Sequence, residues 1–302
     1  MADQALAALN DRFGLAGKLA FVAGPSGLPH ARIASGDYGA EVALQGAHVL
    51  AYGRRGEPPV LWTSRLAVFA PGKAVRGGVP VCWPWFGPHP SDPGKPAHGF
   101  ARVSMWSVAA SADGGDAVAL TLGLRDDGAT RALWPHPFAL ELSVRVGARL
   151  ELALTATNTG DAPVTLGGAL HSYFGVGAVT EARIMGLEGA RYLDQLTGEF
   201  HAQQGPVTVA GEVDRIYEDA GPACTIVAPA LGRAVRVAKS GSATTVVWNP
   251  WVEKARSLAD LGDEEYHEML CVETANAGAD TVTLAPGARH TLGATIEVVP
   301  LS

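Results

Sequence analysis

The chain has 302 residues, 47% of them hydrophobic, and a formal net charge of −7. That length holds one large domain or two ordinary ones, and the apolar share is enough for a buried core. The negative balance excludes a general nucleic-acid binder, which needs a broad basic surface, but leaves room for a few arginines around an anionic ligand.

From the N-terminus, Met1 to Gly17 carries Asp3, Asp11 and Arg12 and no long apolar stretch, so no secretory signal is expected. Ala2 to Phe13 reads as a short helix with Leu6, Leu9 and Phe13 on one face. From Arg32 onward, two-residue alternation takes over. Phe138 to Val146 puts apolar residues on one face and Glu141 and Arg145 on the other, a turn at residues 147–149 follows, and Leu150, Leu152 and Leu154 resume the pattern. Further strands read at residues 41–44, 117–122, 164–170, 225–227, 234–238, 244–248 and 291–299. A later helix reads at residues 253–261, ended by Gly262. Short alternating runs punctuated by Gly, Asn, Asp and Pro are the pattern of an antiparallel sandwich. The expectation is a single all-β domain over residues 1–302, with residues 1–18 as a helical extension. No run of 18 apolar residues escapes charge or proline, so no membrane span is expected. Three widely spaced cysteines, Cys82, Cys224 and Cys271, make neither a disulfide framework nor a zinc pattern and fit a reducing cytoplasm.

Four stretches hold residues suited to chemistry. In residues 76–87, RGGVPVCWPWFG, adjacent glycines allow close backbone approach, Arg76 supplies a fixed cation that needs an anionic partner, and Trp83, Trp85 and Phe86 offer a wall for the C–H face of a sugar. The plainer reading is that these aromatics fill the core. In residues 96–102, PAHGFAR, His98 and Arg102 are an even number of positions apart and would share one face of a strand. His171, in LHSYF after an apolar strand, is placed for rigid, partly desolvated proton transfer, although a lone histidine there is more often a core residue. Glu273, in CVETAN, is a carboxylate in an apolar strand and needs a partner or a task; Asp214, in EVDRIY, is a weaker candidate. The acidic run from Asp263 to Glu268 reads as solvated surface. No phosphate-binding loop, dinucleotide fingerprint, nucleophile elbow or HExxH spacing occurs, so neither cofactor nor metal is expected.

Taken in order, RGGVPVCWPWFG, PAHGFAR, LHSYF, EVDRIY, VVWNPW and CVETAN resemble the motif series of the hexose-6-phosphate mutarotases, within the aldose 1-epimerase (galactose-mutarotase-like) superfamily. The resemblance runs from about Gln45 to Asn276. It implies an antiparallel β-supersandwich, His171 and Glu273 as the catalytic pair, His98 and Asp214 as substrate contacts, and Arg76 and Arg102 as phosphate-holding arginines. The implied partner is a small sugar phosphate, without cofactor, metal or nucleic acid. The implied chemistry interconverts α- and β-anomers, Glu273 removing the C1 hydroxyl proton while His171 protonates the ring oxygen. Two rivals share the fold: a plain aldose 1-epimerase acting on neutral hexose, and a non-catalytic sugar-binding protein. A glycosidase needs a carboxylate pair across the bond, and the pair here is His with Glu.

Overall fold

A computed structural model describes residues 2–301. The helix Ala2–Phe13 forms as expected, and Leu6, Leu9 and Phe13 pack on the core. Strands begin earlier than the alternation suggested, at Leu19–Ala23, and that strand opens a four-stranded sheet completed by Pro29–Ser35, Tyr38–Ala43 and His48–Arg54. A nine-stranded sheet contains Ser107–Asp113, Val118–Arg125, Phe138–Val146, Arg149–Asn158, Arg289–Val299, Arg233–Ser240 and Ala223–Ala228, in that spatial order, then two short edge strands. An eight-stranded sheet contains Val213–Glu218, Thr244–Asn249, Met269–Asn276 and Gly168–Leu170 side by side, with Tyr173–Gly175 also pairing Met269–Asn276. Every paired strand is antiparallel to its neighbours.

The inner faces of these sheets share one core. Val42 and Val49 from the first sheet, Leu120, Leu142 and Leu152 from the second, and Val247, Leu270 and Val272 from the third belong to a single apolar cluster. The result is an antiparallel β-sandwich with, among the described residues, three short α-helices. Met269–Asn276 is buried at every position. Leu270 and Val272 point into the core, so the two-residue period sends Cys271, Glu273 and Ala275 to the opposite face, where further chain covers them. That covered outer face carries the site.

Two helical expectations need correction. The later helix is Trp251–Arg256, not residues 253–261. Asn249 Oδ1 accepts the Trp251 N–H and starts it, and Ser257 Oγ donates back to the Lys254 carbonyl where it stops. The six-residue helix Gly128–Leu133 was not anticipated; Asp127 caps it by accepting from the Thr130 N–H, while Thr130 Oγ1 accepts from the Asp127 N–H.

Candidate active site

Three neighbouring strands bring polar side chains to one place. Register pairs Asp214 with Trp248 and Val246 with Glu273, so Asp214, Val246, Trp248 and Glu273 stand on the same face of the eight-stranded sheet. His171 follows directly on Gly168–Leu170, and its N–H donates to the Pro80 carbonyl. Two segments wall the hollow: the irregular stretch supplying Arg76, Phe86 and His98, and the Trp251–Arg256 region supplying Lys254 and Leu258. Together they enclose about 250 Å³, small for a ligand site and suited to one ring rather than a polymer.

Glycine is required where the arginine loop folds against the body. Gly77 has φ +118 and Gly78 φ +60; a Cβ on the first would lie 2.3 Å from Thr63 Cα, and on the second 2.2 Å from the Val49 carbonyl oxygen. His48 is fully buried and holds this loop through a 2.7 Å contact from Nε2 to the Gly77 carbonyl. Burial lowers its pKa to about 4, so the ring is neutral and donates from Nε2.

Arg76 therefore leaves the loop in a fixed direction. Its anionic partner is internal: Nε and Nη2 donate to Asp260 Oδ1 at 3.2 and 3.1 Å, and Nη1 to the Tyr173 hydroxyl at 3.2 Å. Burial opposes its charge, but Tyr173 and Asp260 outweigh that and raise its pKa. Three N–H groups are thus committed out of a guanidinium's five, leaving two for a ligand.

His98 lies in a loop with φ +65, not on a strand, which corrects the same-face argument linking it to Arg102. Its N–H donates to the Gly87 carbonyl at 2.7 Å, and its Nδ1 accepts the Gly87 N–H at 3.2 Å. Burial, helped by the positive charges of Arg102 and Arg76, lowers its pKa to about 3. The neutral ring with Nδ1 as acceptor carries its hydrogen on Nε2, available as a donor. Arg102 sits on a 3₁₀ turn, Ala101–Val103, donates from Nη2 to the Ala97 carbonyl, and is absent from the cavity wall. Its field nevertheless reaches His98, His171 and Glu273.

His171 Nδ1 stands 3.4 Å from Glu273 Oε1. The ring stacks on Tyr173, centroids 4.9 Å apart, with Trp248 and His98 edge-on. Burial drives the Glu273 carboxyl well above its ordinary range and the His171 imidazole well below its own. Neither His171 Nδ1 nor Glu273 Oε2 has a hydrogen-bond partner, an uncommon state for buried polar atoms. Asp214 Oδ1 accepts from Gln195 Nε2 at 2.5 Å.

Five of the six expected side chains, Arg76, His98, His171, Asp214 and Glu273, thus line one cavity. Trp83 and Trp85 instead fill the core, and of that aromatic trio only Phe86 reaches the wall. Gln195, Trp248 and Lys254 were not singled out. Gln195 sits in a polar turn with no distinguishing neighbours, whereas Trp248 and the Pro250 that precedes the lysine helix stood in plain view in VVWNPW.

An antiparallel sandwich with a buried His–Glu pair in a sugar-sized hollow on one sheet face defines a galactose-mutarotase-like protein. The chain belongs to the aldose 1-epimerase family, whose model matches residues 29–297. It is 40% identical over 240 residues to a protein of Escherichia coli K12 named "Putative glucose-6-phosphate 1-epimerase", covering 79% of this chain and 80% of that one. A crystal structure described as a putative mutarotase from Salmonella typhimurium superposes with a TM-score of 0.89 at 33% identity, covering 96% of each chain. A galactose mutarotase-like protein from Clostridium acetobutylicum shares the fold at 16% identity, TM-score 0.75, covering 94% of this chain and 98% of that one. The family is one of isomerases.

Proposed function

We propose that this protein is a hexose-6-phosphate mutarotase that interconverts the α- and β-anomers of glucose 6-phosphate and related sugar phosphates. The observation that carries the reading is the His171–Glu273 contact at 3.4 Å, with one unpartnered polar atom on each residue, buried in a cavity of about 250 Å³. The relatives' names supply the substrate class.

The reaction needs two proton movements. Glu273 takes the C1 hydroxyl proton while His171 gives one to the ring oxygen; the C1–O5 bond breaks, leaving an open-chain aldehyde. After rotation about C1–C2, His171 recovers the O5 proton as that oxygen attacks C1, and Glu273 returns its proton to O1. The pair alternates between carboxylate with imidazolium and carboxylic acid with neutral imidazole, always holding one transferable proton. Burial of both groups favours the second state, and that state matches the open-chain aldehyde. His98 Nε2–H is assigned to a ring or hydroxyl oxygen, Asp214 to sugar hydroxyls and Arg76 to the phosphate side, while Arg102, outside the cavity wall, adds its positive charge to the site. Its three cysteines are buried and unpaired, which supports a cytoplasmic setting.

The test is NMR exchange between the anomers of glucose 6-phosphate, run beside glucose. The wild type should catalyse the first, and Glu273→Gln and His171→Asn should each lose roughly 10²–10⁴-fold while remaining folded. Normal turnover in Glu273→Gln would refute the acid–base assignment. A plain hexose mutarotase is the second reading, favoured by one observation: Arg76 already has Asp260 as its anion. Equal efficiency on glucose and glucose 6-phosphate would select it.

A further inference from the structure

Two cations line the cavity, and they differ in what they already hold. Arg76 is paired with Asp260 and hydrogen-bonded to Tyr173. Lys254 is solvent-exposed on the cavity rim, and the carboxylates nearest it in sequence are committed elsewhere, Glu253 to Arg256 and Asp260 to Arg76. Among the described residues no carboxylate oxygen lies within 4.0 Å of its ammonium. Its positive charge is nonetheless felt by Asp214 across the cavity.

The lysine's position is built. Asn249 is fully buried; its amide donates to the carbonyls of Tyr266 and Met269, each at 2.9 Å, and its oxygen accepts the Trp251 N–H. Trp251 opens the helix at φ +54, a strained value for a bulky residue, and Ala255 is wholly buried beneath it. The helix is thus pinned on both sides of Lys254. A hexose ring seated against His171 and Glu273 presents one flexible arm, C6 with its phosphate, and Lys254 is a cavity-lining cation whose charge no carboxylate already balances.

We infer that Lys254 meets the substrate's phosphate at the cavity rim and sets the preference for phosphorylated over neutral hexose. The inference rests on the phosphosugar reading above. It assigns the contact to a residue on the Trp251–Arg256 helix, beyond the two arginines of the motif series. A rim lysine suits a point-charge contact with a mobile phosphate, and its influence falls with salt because the site is open to solvent.

The experiment measures kcat/KM for anomer exchange of glucose 6-phosphate and of glucose in the wild type, Lys254→Met and Lys254→Arg, with inorganic phosphate as a competing probe. The glucose 6-phosphate to glucose ratio should fall about tenfold or more in Lys254→Met, the scale of one lost charge-assisted hydrogen bond, and be largely kept in Lys254→Arg. Inhibition by inorganic phosphate should weaken in parallel. Raising ionic strength from about 0.01 to 0.15 M should erode the wild-type ratio and leave the Lys254→Met ratio flatter. A wild type that prefers glucose 6-phosphate, with a Lys254→Met ratio within about twofold of it, overturns the inference and leaves the phosphosugar reading standing. A wild type with no such preference overturns both. The position is exposed, so Lys254→Met is expected to fold, and matched circular dichroism checks this.

Discussion

Burial pushes the Asp214 carboxyl up to about 6, against the opposing hydrogen bond from Gln195 and helped by the nearby charges of Glu212 and Asp194. This makes activity and stability respond to pH in opposite directions. In its proposed role as an acceptor for sugar hydroxyls Asp214 must be ionised, so kcat/KM for glucose should rise as pH climbs through about 6. Asp214→Asn should flatten that limb and lower its plateau. Glucose is the substrate for this test because a sugar phosphate has its own ionisation near pH 6. For stability the folded pKa lies above the ordinary 3.8, so the folded chain binds the extra proton between those values. The contribution is fully present below the unfolded value and is lost as pH rises through about 6. Asp214→Asn should therefore gain stability relative to wild type between pH 4 and 7, measured by urea unfolding at stepped pH. A constant difference would mean that Asp214 does not titrate in that interval.

At the scale of elements, the segment after the Trp251–Arg256 helix depends on one buried acid. The run from Asp263 to Glu268 looked like solvated surface, yet Glu265 is 2% exposed and is the anchor of its loop. Its carboxylate accepts from Ser64 Oγ at 2.6 Å, the Arg65 N–H at 2.9 Å and the Gly262 N–H at 2.8 Å, and it pairs with Arg65 Nε at 3.2 Å. Burial pulls its pKa up, but these donors together hold it below its ordinary value. Its contribution is therefore present at neutral pH and lost as pH falls below the usual carboxylate range. Glu265→Ala leaves two backbone donors and a hydroxyl without an acceptor and should cost about 2–4 kcal/mol at neutral pH by urea unfolding. Glu265→Gln should cost less, because an amide oxygen still accepts. A loss below about 0.5 kcal/mol in Glu265→Ala, the scale of an ordinary surface substitution, would mean water replaces the acid.

For the whole molecule, we propose that residues 1–302 fold as one domain. The support is the shared cluster that draws side chains from all three large sheets. Because the cavity lies on the far side of a strand whose other face is in that cluster, the site should not survive loss of the sandwich. Thermal unfolding followed by tryptophan fluorescence and by anomer exchange should give one coincident transition, and two separated transitions would divide the chain into two domains.

The sequence alone determined the fold class, because burying one face of a strand imposes a two-residue period that survives in any single window: Phe138–Val146 was legible to its last residue. It also singled out candidates wherever a polar side chain interrupts an apolar strand, as Glu273 does, or closes one, as His171 does, and both line the cavity. Only the tertiary structure decided which of them meet. Arg76 and Asp260 are 184 positions apart, and Glu265 and Ser64 are 201 apart, so their pairing follows from strand register and loop packing. No local pattern records it. The same holds for what a side chain faces: Trp83 and Phe86 lie three positions apart in one motif, yet one is sealed in the core and the other borders the cavity. Lys254 is marked out by the hollow beneath it, which its helix, pinned by Asn249, borders.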